Sequence, residues 1–268
     1  MNPKPRRPIV AVVIMSDVFD LRAILKSWPY DPDSDARFTR GEDGREILQV
    51  RTPLGIEQHE IDGRPDGVRP HGLESLLEFH LERLAKAKAE SRESDFELAP
   101  SECSELFTEG TLYYFRYVRL FQLKDWTRTV RDTMRNLQVF DLVRRYARRE
   151  EDQQFLEKWR PYIIRVNSTA AVMLELERNA YDQALALVNQ AVRRLERLEE
   201  YDDETFHFEQ ERSLMALREL AAQIQKNRPM SELEQLEHQL RRAIEQQEFE
   251  RAAQLRDRIR ALKKQQIC

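Results

Sequence analysis

Apolar residues keep several different rhythms along this chain. From Ile9 to Met15 they form a short unbroken run, "IVAVVIM", rich in β-branched side chains, which predicts a buried strand. The following "SDVFDLRAILKSW" sets Phe19, Leu21, Ile24 and Leu25 at helical spacing behind Ser16 as cap, so the chain is expected to open as a βα unit with that face inward. "GREILQVRTPLGIEQHEI" holds two strand-like runs separated by Pro53 and Gly55 and predicts a hairpin. From Leu73 to about Arg92 the rhythm becomes helical, with Leu73, Leu76, Leu77, Phe79 or His80, Leu81 and Leu84 on one broad stripe.

Beyond this the helical period hardly stops. Residues 102–227 divide into helices over Glu102–Leu123, Asp125–Arg149, Gln153–Arg178, Tyr181–Glu200 and Phe206–Lys226. Brief links between such helices favour antiparallel neighbours, hence a helix-hairpin array or bundle. In "AYDQALALVNQAVRRL", Tyr181, Ala184, Leu185, Val188 and Ala191 share a face, with small residues where a neighbour packs closely. That segment resembles the second helix of a tetratricopeptide repeat, and "KDWTRTVRDTMRNL" around Trp126 is a looser version. The separation of Trp126 and Tyr181 does not match the roughly 34-residue period of that family, so the body is repeat-like only.

Punctuation agrees with a change of architecture. All 7 glycines lie at or before Gly110, and past Pro100 the prolines are Pro161 and Pro229. The expected class is α+β and predominantly α-helical: a mixed α/β domain over residues 1–95, a helical domain over 102–227 and a two-helix hairpin over 229–268.

Composition narrows the function. At 34% charged and 41% hydrophobic residues, the 268-residue chain reads as soluble and helix-rich, with enough length to bury a core. A net charge of -4 argues neither for nor against nucleic acid. Lys4, Arg6 and Arg7 ahead of an apolar run imitate a signal peptide, but that run is short and no small-residue cleavage site follows it. No stretch approaches the roughly 20 apolar residues of a membrane span. Cys103 and Cys268 form no CxxC pair, so a reducing cytoplasm without a disulfide framework is expected.

Catalytic signals are weak. His59, Glu60, Asp62 and His71 match no metal-ligand spacing, and in the loop "DGRPDGVRPHG" Arg64, Asp66, Arg69 and His71 read as solvated turn residues. There is no phosphate loop and no nucleophile elbow. The expectation is a protein without enzymatic activity, metal or cofactor.

One internal segment invites a nucleic-acid reading. Between Tyr113 and Arg149 lie Arg116, Arg119, Lys124, Arg128, Arg131, Arg135, Arg144, Arg145, Arg148 and Arg149, against Asp125, Asp132 and Asp141. Interleaved aromatics, from Tyr113 to Trp126, complete the pattern of a backbone-tracking surface, with Arg116, Arg119, Arg128, Arg131, Arg135, Arg144 and Arg145 as candidate contacts. The competing reading is a helix with an aromatic core face and a solvated arginine face, whose charge pairs with the acidic run "LEEYDDETFHFEQE".

The C-terminal segment "PMSELEQLEHQLRRAIEQQEFERAAQLRDRIRALKKQ" is the most specific. Ser231 and Glu234 form a capping box after Pro229. Leu233, Leu236, Leu240 and Ala243 keep a three-four-three spacing, which Ala252, Leu255, Ile259 and Leu262 repeat beyond "EQQEF". Two short helices with matching seams are expected, with Phe249 covering the turn and the Ala252-Ala253 pair allowing close approach. So few apolar side chains leave a lone hairpin marginal, so it is expected to lie against another surface.

The run from Leu233 to Leu262, above all "FERAAQLRDRI", resembles the UVR motif. This is a helical hairpin shared by the B and C subunits of the bacterial excision-repair nuclease, some Clp-type unfoldases and an activator of a protein arginine kinase. The resemblance implies a protein-protein contact, with a partner or a second copy, through Leu236, Leu240, Ala243, Phe249, Ala252, Ala253, Leu255 and Ile259, and with Arg256 and Asp257 at the rim. Neither the ATPase motif of the unfoldases nor the CxxC modules of the kinase activator is present. The leading expectation is an adaptor or scaffold; the alternatives are a nucleic-acid-binding accessory of excision repair and a regulator of a Clp-type protease system.

Overall fold

The computed structural model describes residues 20–230 and 232–265. The expected strand at Ile9–Met15, the Ser16 cap and Ser231 of the capping box lie outside them. The first described helix, α1 (Arg22–Ser27), does not turn its apolar residues inward as expected: Leu21 and Ile24 are exposed and the helix buries nothing. It is under two turns long, and none of the described hydrophobic clusters includes it.

A three-stranded antiparallel sheet follows, β1 (Ala36–Arg40), β2 (Glu46–Thr52) and β3 (Gly55–Glu60), in that spatial order. The expected hairpin is β2–β3, closed at Pro53-Leu54 with Thr52 opposite Gly55. β1 joins the other edge, with Phe38 opposite Leu48. Alternation along β2 places Leu48 and Val50 on one face, where they pack with Ile61 and with Leu120 of the helical body.

The body is built from α2 (Leu76–Ala89), α3 (Pro100–Gln122), α4 (Trp126–Tyr146), α5 (Glu150–Phe155), α6 (Arg160–Glu177), α7 (Tyr181–Glu196) and α8 (Glu204–Asn227). α3 packs on α4, α4 on α6, α6 on α7 and α7 on α8. The helix expected over Gln153–Arg178 is in fact broken. A short 3-10 turn at Glu157–Trp159 separates α5 from α6, and Pro161 sits in the first turn of α6, where its missing N–H costs no intrahelical bond. The α7 face read as repeat-like does point inward, with Ala184, Val188, Ala191 and Leu195 buried.

Starts and stops have local causes. Ser75 accepts from the Glu78 N–H at 3.2 Å at the start of α2, and Asp203 accepts from Thr205 and Phe206 at the start of α8. α2, α3 and α6 end alike, with Ser91, Lys124 and Asn179 at positive φ and the next residue's N–H bonded five residues back, the pattern of a Schellman cap. Helices therefore stop without glycine, which is why the chain past Gly110 can be divided into separate helices.

Two hydrophobic clusters hold the body. One joins α4, α6, α7 and α8 around Phe140, Ile164, Val172 and Leu217. The other joins α2, α3 and α4 around Leu77, Leu98, Leu106 and Val143, so apolar packing runs across residues 95–102. Glu109, fully buried on α3, adds a polar tie: its carboxylate accepts from the first-turn N–H groups of Leu76 and Leu77 at 2.9 and 3.3 Å and pairs with Arg64 and Arg135. An anion there suits the positive end of α2. Arg64, read as a solvated turn residue, is thus largely buried, because its guanidinium reaches back to Glu109.

Candidate functional site

The C-terminal hairpin consists of α9 (Glu232–Glu245) and α10 (Phe249–Gln265), which pack on one another. The turn is another Schellman cap: Gln247 takes φ 59°, its N–H bonds to Ile244 at 3.0 Å and the Glu248 N–H to Ala243 at 2.8 Å. The side chains of Leu236, Ala243, Ala252, Leu255 and Ile259 are buried together, with Leu233, Leu240 and Leu262 packed against them. Every member of this cluster belongs to the hairpin. Lys263 bridges to Glu237 across the two helices at 2.9 Å.

The seam expected from the sequence is therefore formed, but its two halves face one another. Among the ten residues assigned to a partner, Leu236, Ala243, Ala252, Leu255 and Ile259 are buried within the hairpin and Leu240 is half-buried. Ala253, Arg256 and Asp257 are exposed, and the latter two approach each other at 3.6 Å as sequence neighbours. Phe249 does not cover the turn: it is 72% exposed. Running the three-four spacing of Ala252, Leu255 and Ile259 backwards reaches Glu248, so Phe249 sits about 100° round the helix from the seam. Ile244, 54% exposed and one residue past buried Ala243, is displaced from α9's seam in the same way. Ile244 was not among the expected residues, although its place four residues after Leu240 was visible in the sequence. The hairpin thus keeps a dry inner face and carries two large apolar side chains beside its turn.

The basic segment has a different fate. Arg116 is 1% exposed and makes a bidentate pair with Asp132. Arg119 pairs with Asp35 at 3.0 Å, Arg128 with Glu46 at 2.8 Å and Asp125 at 2.9 Å, and Arg131 with Asp62 at 2.8 Å. Arg135 pairs with Glu109, Arg144 with Glu199 of the acidic run, and Arg145 with Glu93 at 3.1 Å. All seven candidate arginines are engaged by carboxylates of the chain itself, and Arg116 and Arg135 are largely buried. The guanidinium groups of Arg116 and Arg135 both approach the ring of buried Tyr113, at 4.8 and 3.8 Å from its centroid.

Burial also perturbs titratable groups elsewhere in the body. Burial pushes the Cys103 thiol up to about 11, away from thiolate reactivity. It pushes His80 down to about 4, beside the Arg83 guanidinium at 3.0 Å. No group of three or more His, Cys, Asp or Glu arranged to hold a metal ion occurs among the described residues. No described helix is long and apolar enough to cross a membrane.

Comparison with known proteins assigns the hairpin. The UvrB/uvrC motif family matches residues 231–265, the segment whose seam and turn are described above. That motif mediates protein contacts in repair and Clp-related proteins. No curated protein and no solved structure matches the chain.

Proposed function

We propose that the protein is a non-enzymatic adaptor whose C-terminal hairpin docks onto an apolar surface of another protein or of a second copy of itself. The observation that carries this is the exposure of Phe249 beside Ile244 on a motif whose own seam is already closed. A lone exposed phenylalanine on a protein surface needs no explanation. Here it falls at the turn of the segment that serves contacts in other proteins. An exposed aromatic residue just past the turn and an exposed aliphatic one just before it, on helices that also expose Arg251, Arg256 and Asp257, suit an apolar anchor within a polar surround.

The sheet and helical body serve as the mount, and residues 228–230 join it to the hairpin. The free, buried Cys103 thiol suits a reducing cytoplasm. Repair proteins and Clp-related proteins are among those in which this motif makes its contacts, and the identity of the captured partner separates these settings. Direct contact with nucleic acid is not part of the proposal, because each arginine nominated for it is already paired within the chain.

Crosslinking in the cell of origin, comparing wild type with Ile244→Asp plus Phe249→Asp, tests the reading. Loss of specific crosslinks with unchanged helicity supports it; the same crosslinks in both proteins would count against it.

A further inference from the structure

We propose that the cleft bounded by α3, α4, α6 and α8 binds a small, flat aromatic acid. α3 and α6 both lie on α4, and between them remains a cavity of about 470 Å³, within the size range of small-molecule sites. Six aromatic side chains line it: Phe107, Tyr114 and Tyr117 from α3, Phe140 from α4, Trp159 from the 3-10 turn and Tyr162 from α6. The rings of Tyr114 and Tyr162 pack on one another, 6.2 Å between centroids and tilted by 59°, and tie α3 to α6 in the wall. Walls of this kind favour a planar ring that stacks, over a branched aliphatic or a sugar.

Gly110 gives the cavity a second mark of purpose. It lies inside α3 without a positive φ, and a Cβ there would meet only the Asn136 amide, at 3.8 Å. Neither backbone conformation nor close helix packing calls for glycine at this place, and glycine weakens a helix interior relative to alanine. What its missing side chain provides is room in the cavity wall, which Gly110 and Asn136 both line.

Charge at the rim selects the ligand's polar group. Glu209 is buried and already approached by Arg165 at 3.4 Å and Arg212 at 3.6 Å. Glu209 and Arg212, the latter half exposed, are the charged residues of the lining; Arg165, outside it but over the Tyr162 ring at 5.2 Å, tips the balance of the three to positive. A cationic ligand would meet that balance unfavourably, whereas a carboxylate or sulfonate on an aromatic ring can pair with Arg212.

The test uses the full chain and anilinonaphthalene sulfonate as fluorescent probe. One saturable site is expected, displaced by naphthoate but not by naphthylmethylamine. Arg212→Glu is expected to weaken the probe about tenfold, which corresponds to about 1.4 kcal/mol. Thr111→Trp, on an exposed position of the lining, is expected to block the cleft without lowering the melting temperature. Phe249→Ser is expected to leave probe binding intact, which separates this cleft from the hairpin. Absence of a saturable site, undiminished binding by the Thr111 variant, equal displacement by the amine, or loss of binding in the Phe249 variant would each overturn the assignment.

Discussion

Arg116 and Asp132 meet between α3 and α4 with each side chain 1% exposed, joined by hydrogen bonds of 2.6 and 2.9 Å. The same guanidinium donates to the carbonyls of Glu60 and Gly63 at 2.7 and 2.9 Å, so one buried cation ties the end of β3 to two helices of the body. A buried charge is tolerated when its donors are satisfied, and removing its counter-charge leaves it uncompensated. Asp132→Asn is therefore expected to lower unfolding free energy by about 3 to 5 kcal/mol. Urea unfolding measures this, and Arg116→Met combined with Asp132→Leu should cost less than the sum of the single changes.

Histidine burial sets a pH dependence. In the native state burial holds the His80 pKa near 4 instead of 6.5, and burial lowers that of His59 as well. The unfolded chain takes up protons below about pH 6.5 that the folded chain refuses, so stability is full above that value and declines as pH falls towards 4. The slope contributed by one such group approaches about 1.4 kcal/mol per pH unit. Unfolding measured from pH 7 to 5 is expected to show this decline, and His80→Leu should flatten it whatever its effect at neutral pH.

Backbone strain at the hairpin turn gives a stabilising change. Gln247 holds φ 59° in a position that glycine occupies more readily. Gln247→Gly is expected to raise the stability of α9 and α10 by about 0.5 to 1 kcal/mol, the left-handed penalty being partly offset by greater freedom in the unfolded chain. Hydrogen exchange of the Ala252 and Leu255 amides provides the readout.

A parallel case lies in α3. Gly110→Ala adds a methyl group at ordinary contact distance from Asn136 and removes a flexible residue from a helix interior. Thermal stability is expected to rise, by about 0.5 to 1 kcal/mol at the midpoint.

These sites show what could be read in the sequence. The hairpin seam was legible because Leu236, Ala243, Ala252, Leu255 and Ile259 recur at helical spacing, and β2–β3 because Pro53 and Gly55 interrupt two apolar runs. β1 was missed because its one large apolar residue, Phe38, stands among arginines and a threonine. The break before α6 was missed because the apolar rhythm continues through Leu156 and Trp159, and only Pro161 marks it. The arginines could not be assigned, since Arg119 meets Asp35, Arg131 meets Asp62 and Arg144 meets Glu199 across long stretches of chain. Phe249 leaves the turn uncovered because the seam's own spacing, extended back one turn, reaches Glu248 instead.

The most direct test of the adaptor account is quantitative recovery of associated proteins, together with molecular mass by sedimentation, for wild type and for Phe249→Asp with Ile244→Asp. The account predicts that specific associations or self-association seen with wild type disappear in the variant while helix content and melting temperature stay unchanged. An identical set of associated proteins and an identical mass for both would contradict it.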